Sequence, residues 1–187
     1  MKKIPTLFKR NFIGKREFVI TDEITNGCEE AFLHGVAKIK VDGACCAIIN
    51  GELYKRYDAK KGKTPPMGAI PCQAAPDPIT SHWPHWVKCD INNPNDKWFI
   101  QACHNVHGFP LDGTYEAVGK HFNGNPYRYG YDFLVRHADI AEVDVDRTFD
   151  GVKRWLEGHQ SEGLVFWLNG EPVCKIKRSD FGLKWPE

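Results

Sequence analysis

Lys40, Val41, Asp42 and Gly43 stand between two β-prone runs, and a lysine in that position can do chemistry. Protonated lysine is a poor nucleophile and reacts only where burial or neighbouring cations favour its neutral form. The plain alternative is a surface lysine ahead of an Asp42-Gly43 turn, and four residues alone do not choose between the two. A second group lies far along the chain: Glu162, then Lys175 and Lys177. An acid and two lysines in otherwise apolar strands are costly to bury unless they are paired or used.

The elements that must position these residues are two hairpins. Gly35 to Val41 and Ala44 to Asn50 are β-prone, and Asn50-Gly51 is a strong two-residue turn signal. A two-residue loop sets Ile49 opposite Glu52 and Cys45 opposite Arg56. Cys45, Ala47, Tyr54 and Arg56 then share one face, with room beside the small residues for something bulky. The second hairpin runs Gly163 to Leu168, Asn169-Gly170, Glu171 to Lys177. A regular register sets Leu164 opposite Lys175 and Glu162 opposite Lys177, all on one side of the ribbon.

Elsewhere the signals are coarser. Residues 1–34 read as a basic lead-in with a strand at Glu17 to Thr21. Residues 62–97, rich in Pro, Gly, Asn and Asp, read as a long irregular connection of the kind that serves as a lid or binding loop. Trp98 to Cys103, Thr114 to Gly119 and Tyr131 to Arg136 read as strands. Phe149, Val152, Trp155 and Leu156 recur at helical spacing, predicting a helix from Thr148 to Glu157 that Gly158 stops.

The 187 residues suit one domain, 1–187, with the 62–97 insertion, and 42% hydrophobic content fits a folded chain. A net charge of +1 exerts no global pull on nucleic acid, so any such affinity rests on local patches. One comprises Lys2, Lys3, Lys9, Arg10, Lys15 and Arg16; the other Lys55, Arg56, Lys60, Lys61 and Lys63. Seven cysteines, an odd number including the adjacent Cys45-Cys46, suit a reducing compartment better than a disulfide framework. His82, His85, Cys89, Cys103, His104 and His107 lack the paired spacing of structural zinc ligands. No apolar run reaches the length of a membrane span, and no hydrophobic segment follows the basic start, so a cytoplasmic, intracellular protein is expected.

Taken in order, the blocks resemble the motifs of the covalent nucleotidyltransferases, the superfamily of ATP-dependent ligases and capping enzymes. Lys40-Val41-Asp42-Gly43 resembles motif I, and Arg56 stands where motif Ia has its arginine. Thr114 to Gly119 is similar to motif III, Ser161-Glu162-Gly163-Leu164-Val165 to motif IV, and Lys175-Ile176-Lys177 to motif V. Val41 to Cys46, Asn123 to Tyr127, Glu162 to Trp167 and Gly182 to Pro186 look more closely like the vertebrate-type ATP-dependent 5′-to-3′ RNA ligase family.

The resemblance implies an α+β adenylation (nucleotidyltransferase) domain, antiparallel sheets flanked by helices. It also implies ATP as substrate, Mg²⁺ or Mn²⁺ as cofactor, and RNA with 5′-phosphate and 3′-hydroxyl ends as partner. Lys40 would carry AMP, with Lys175 and Lys177 neutralising the α-phosphate and crowding Lys40 with positive charge. Glu162 would hold the metal, with Asp42 orienting Lys40 or binding metal indirectly. Arg56 would contact the ribose or a phosphate, Glu116 the ribose or a metal-bound water, and Ile39 the adenine edge through its backbone. Phe133 and Val165 would enclose the adenine ring. Capping guanylyltransferases and DNA ligases share motif I but carry an oligonucleotide-binding-fold domain after motif V; with ten residues after Lys177, no such domain is expected here. A non-catalytic RNA-binding module would not need the lysines and glutamates together.

Overall fold

A computed structural model describes residues 1–14, 17–78, 80–106 and 108–185. Lys15, Arg16, His107 and Pro186, all used in the sequence reading, lie outside the described residues. In chain order the elements begin with β1 (Phe8–Phe12), β2 (Phe18–Ile24), α1 (Glu29–His34), β3 (Val36–Lys40), β4 (Ala44–Ile49) and β5 (Glu52–Ala59). Next come β6 (Ile70–Pro71), β7 (Trp83–Lys88), α2 (Lys97–His104), β8 (Gly113–Val118) and β9 (Phe133–Arg136). The last are β10 (Glu142–Val143), α3 (Phe149–Gly158), β11 (Gly163–Leu168) and β12 (Glu171–Lys177). Antiparallel sheets with few helices make this a mixed α and β protein.

The chain divides into two compact units, residues 1–3 with 42–139 and residues 4–41 with 140–187. One boundary falls between Val41 and Asp42, one residue after the candidate nucleophile Lys40.

In the first unit a six-stranded sheet runs β6-β7-β5-β4-β8-β9. One face carries Cys46, Ile48, Tyr115, Ala117 and Leu134, which bury against Ala102 of α2 and Phe122. Side-chain alternation puts Cys45, Ala47, Tyr54 and Arg56 on the other. The expected register holds, with Ile49 opposite Glu52 and Ala47 opposite Tyr54. Asn50 adopts the left-handed conformation (φ 52°) that a two-residue turn needs.

Two readings of this unit change. Trp98 to Cys103 is helical rather than a strand, because Trp98, Phe99, Ala102 and Cys103 all meet the same core, a spacing only a helix can bring to one side. Within residues 62–97 the chain forms β6 and β7, and Pro84, His85 and Trp86 are buried. Proline and histidine concealed the strand, since Pro84, His85 and Trp86 are buried in succession and leave no polar alternation to read.

In the second unit a four-stranded sheet runs β10-β3-β11-β12, with β1 and β2 as a separate ribbon. Ala37, Leu164, Phe166, Cys174 and Ile176 form its buried face, joined by Phe8, Phe32, Val152 and Leu156. Phe32 meets Phe8 and Phe166 edge to face, with centroids 5.6 and 5.3 Å apart. Helix α3 lies one residue beyond the expected span, with Gly158 as its last residue; Thr148 caps its start, accepting a hydrogen bond from the Gly151 N–H at 3.0 Å. Residues 5–7 lie along the free edge of β12, where the Lys175 N–H donates to Pro5 O (3.0 Å) and the Leu7 N–H to Lys175 O (2.7 Å). The basic lead-in therefore fixes the backbone that carries Lys175.

The second hairpin departs from its expected register. Leu168 pairs with Glu171 and Trp167 with Pro172, but Phe166 then pairs with Cys174, leaving Val173 as an extra residue. Pro172 has no N–H for the ladder, and a bulge accommodates that loss. Beyond the bulge Leu164 pairs with Ile176, Val165 with Lys175 and Gly163 with Lys177. Lys175 therefore does not face Leu164, and Lys177 does not face Glu162 across the ladder.

Candidate active site

In the second unit, β3 adds to β11 with Lys40 opposite Gly163 and Lys38 opposite Val165. Two rows then cross the sheet on the face away from the core: Lys40, Gly163, Lys177, and Lys38, Val165, Lys175. Ile39 lies in the intervening row, opposite Leu164. The bulge at Val173 brings Lys175 and Lys177 to the face that Lys40 occupies; the regular register would set Lys175 against the buried Leu164.

Glu162, immediately before β11, completes this cluster. One carboxylate oxygen accepts a hydrogen bond from Lys40 Nζ and the other from Lys177 Nζ. The Glu162 side chain is 14% exposed and that of Lys40 18%. Burial pushes the Glu162 carboxyl up, but the charge of Lys40 and the hydrogen bonds of Lys177 and Lys40 more than offset it. The net result is below the usual carboxylate range. Gly163 makes the convergence sterically feasible: a Cβ there would lie 2.0 Å from Ile176 O and 2.9 Å from Lys177 Cα. The sequence reading gave Gly163 no role; its position between two motif residues was the available signal. Lys38 instead lies over the Trp167 ring, 5.7 Å from its centroid.

In the first unit the other candidates share the sheet face opposite the core. Cys45 pairs with Glu116 and Glu116 with Val135, while Phe133 pairs with Val118 two residues along. Arg56, in register with Trp86, is on that same face. Its Nε donates to Asp58 at 2.8 Å. Glu116 is met by His137 Nε2 at 3.3 Å, and His137 Nδ1 lies 2.9 Å from Thr114 Oγ1. His137 is buried and went unnoticed in the sequence, since nothing about a lone histidine marks it. Burial, then the charge of Glu116, push the Cys45 thiol up to about 12, so it is a neutral packing group despite the Arg56 guanidinium beside it.

Asp42 is held by the loop that follows β8. Its N–H donates to Tyr127 Oη (2.8 Å), and Asn123 Nδ2 donates to Asp42 Oδ1 (2.8 Å) and Gly43 O (2.7 Å). Asn123 and Tyr127 thus have a visible task, fastening the residue two places after Lys40.

Among the described residues no group of three or more His, Cys, Asp and Glu side chains is arranged to hold a metal ion. The donor set nevertheless suits Mg²⁺, which is commonly held by one or two carboxylates together with substrate phosphates. Glu162 is a hard oxygen donor of that kind, partly exposed and already ionised. All seven cysteines are free thiols. No helix among the described residues is long and apolar enough to cross a membrane.

No family model matches the chain. It is similar to RNA ligase 1 of Rattus norvegicus, 31% identical over 85 residues, covering 41% of this chain and 26% of that protein. It is also similar to RNA ligase 1 of Danio rerio, 27% identical over 137 residues, covering 56% of this chain and 42% of that protein. The chain thus spans less than half the length of the curated relatives it matches. These partial likenesses support an RNA ligase-like relationship.

Proposed function

We propose that this chain is an ATP-dependent RNA ligase-like nucleotidyltransferase whose Lys40 becomes covalently adenylylated. The observation that carries this reading is the convergence of Lys40 and Lys177 on Glu162, with Lys175 on the same sheet face. A nucleophilic lysine, an acid and further cations on one surface are what attack on a phosphoanhydride requires.

In this reading Lys40 Nζ loses a proton and forms a bond to the α-phosphorus of ATP as the bond to pyrophosphate breaks. AMP then passes to an RNA 5′-phosphate, and an RNA 3′-hydroxyl displaces it to join the strands. Glu162, with support from Asp42, would hold Mg²⁺ or Mn²⁺, which supplies charge withdrawal from the phosphates when bound. Lys175 and Lys177 would bind the α-phosphate and meet the charge that develops on it. Arg56 would take the ribose or a phosphate, Glu116 the ribose or a metal-bound water, Ile39 the adenine edge, and Phe133 and Val165 the faces of the ring. Two lysines held on one carboxylate give the resting site a neutralised anion, which ATP phosphates can replace as the partner of Lys177.

The test is covalent labelling. Incubation with α-labelled ATP and Mg²⁺ or Mn²⁺, then denaturation, should leave label on the polypeptide. The label should vanish in Lys40→Ala and persist in Lys38→Ala. No label from either ATP or GTP would overturn the reading, and label from GTP alone would favour a capping activity.

A further inference from the structure

The loop from Gly119 to Tyr131 does more than fasten Asp42. It contains Lys120, His121 and Arg128 and no acidic residue. Three tyrosines alternate through its second half, and Tyr129 and Tyr131 are 38% and 61% exposed. Their rings form a connected series with Phe133. Tyr127 and Tyr129 have centroids 5.4 Å apart, Tyr129 and Phe133 4.9 Å, and Tyr131 and Phe133 5.3 Å.

Exposed aromatic rings on an ordinary turn are usually isolated, and the turn itself is loosely held. This loop is braced. The Asn125 side chain accepts the Tyr129 N–H and donates to Tyr129 O, both at 2.9 Å. Asn123 and Tyr127 tie the loop to Asp42 and Gly43 as described, and Arg128 is kept in the left-handed region (φ 58°). Beneath Tyr131 and Phe133 is a cavity of about 370 Å³ also lined by Asn105, Val106 and Leu134.

Rigid aromatic rings presented in series, with Lys120 and Arg128 in the same loop, match one ligand chemistry well. Unpaired bases offer π-faces for stacking, and their phosphates need positive charge nearby. In a duplex those faces are already stacked on neighbouring bases. We infer that this loop binds the unpaired end of an RNA strand, Tyr129 and Tyr131 stacking on successive bases while Lys120 and Arg128 meet the phosphates. The choice of RNA rests on the ligase reading above. The loop follows from exposure, ring contacts and charge alone. It is a binding surface for the nucleic-acid substrate that adjoins the nucleotide contact given to Phe133, whose ring meets Tyr129 and Tyr131.

The experiment uses the full chain with a fluorescein-labelled ten-nucleotide single-stranded RNA and its duplex, read by anisotropy without ATP. Lys40 labelling by ATP is measured in parallel. Tyr129→Ala and Tyr131→Ala should each weaken single-strand binding about tenfold or more. Tyr129→Trp and Tyr131→Phe should retain it, and ATP labelling should be unchanged in all four. Wild-type affinity in the double Tyr129→Ala, Tyr131→Ala variant would overturn the inference, as would duplex binding as tight as single-strand binding. Self-association that these tyrosines mediate, with no RNA binding, would also overturn it and mark the loop as a protein contact. Tyrosine-dependent RNA binding without any ATP labelling would support the loop and sink the ligase reading.

Discussion

Glu162 is the residue on which the second unit's polar chemistry turns. Its carboxylate accepts from Lys40 and Lys177, and those partners hold its pKa below the unfolded value of 4.5. A carboxylate depressed in the folded state stabilises the fold above its unfolded pKa, and that contribution is lost as pH falls through the folded pKa. Glu162→Gln keeps the shape but removes the charge, leaving two partly buried ammonium groups without their anion. The variant should be less stable than wild type by about 1 to 3 kcal/mol at neutral pH. The gap should stay constant down to about pH 5.5 and narrow below pH 4.5 as wild-type Glu162 takes up its proton. Thermal melts from pH 7 to pH 3 measure this, and a gap that persists undiminished to pH 3 would refute the assigned role of the charge.

At the scale of elements, the β11–β12 hairpin decides which side chains can meet. Turn chemistry at Asn169-Gly170 sets the loop, while the bulge at Val173 sets the parity beyond it. Gly163 then lets the strands close up between Lys40 and Lys177. In Gly163→Ala the added methyl would meet the Ile176 carbonyl at 2.0 Å, so β12 must shift away from β11. That variant should lose about 2 to 4 kcal/mol of stability and label with ATP more than tenfold slower, since Lys177 is carried off with its strand. Denaturant midpoints and initial labelling rates separate the two effects. Labelling at the wild-type rate in a folded Gly163→Ala protein would show that the placement of Lys177 is not needed.

For the molecule as a whole, charge is nearly balanced and much of it is spent internally. Lys3 pairs with Asp77, Lys9 with Glu23, Arg10 with Asp180, Lys55 with Asp96 and Arg56 with Asp58. The basic runs seen in the sequence are therefore partly neutralised: Lys55 and Arg56 are paired, while Lys60, Lys61 and Lys63 are exposed. Single-strand RNA binding through the aromatic loop should accordingly depend weakly on salt. A slope of log affinity against log salt of about −1 to −3 is expected, corresponding to a few phosphates neutralised. Anisotropy titrations from 50 to 300 mM salt provide the measurement. A slope steeper than about −5 would point to a broad basic surface instead.

How much of this was legible in the amino-acid sequence depends on the range of the interaction involved. The two Asn-Gly turns, the alternation that puts Arg56 on the face away from the core, and the Thr148 helix were readable because each follows from a few neighbouring residues. The order of Lys40, Arg56, Glu116, Glu162, Lys175 and Lys177 is readable too, because it is a property of the chain itself. Helix α2 was misread because Trp98, Phe99, Ala102 and Cys103 look like a β-prone run until a core is present to demand their helical spacing. The Val173 bulge could not be foreseen from turn chemistry, and it moves the ladder partners of Lys175 and Lys177 by one residue, to Val165 and Gly163. Tertiary structure alone brought Lys40 to Glu162 across 122 residues, put β3 beside β11, and fastened Asp42 with Asn123 and Tyr127. Local sequence determines which side of a strand a residue takes; which strand lies next to it is decided only when the whole core packs.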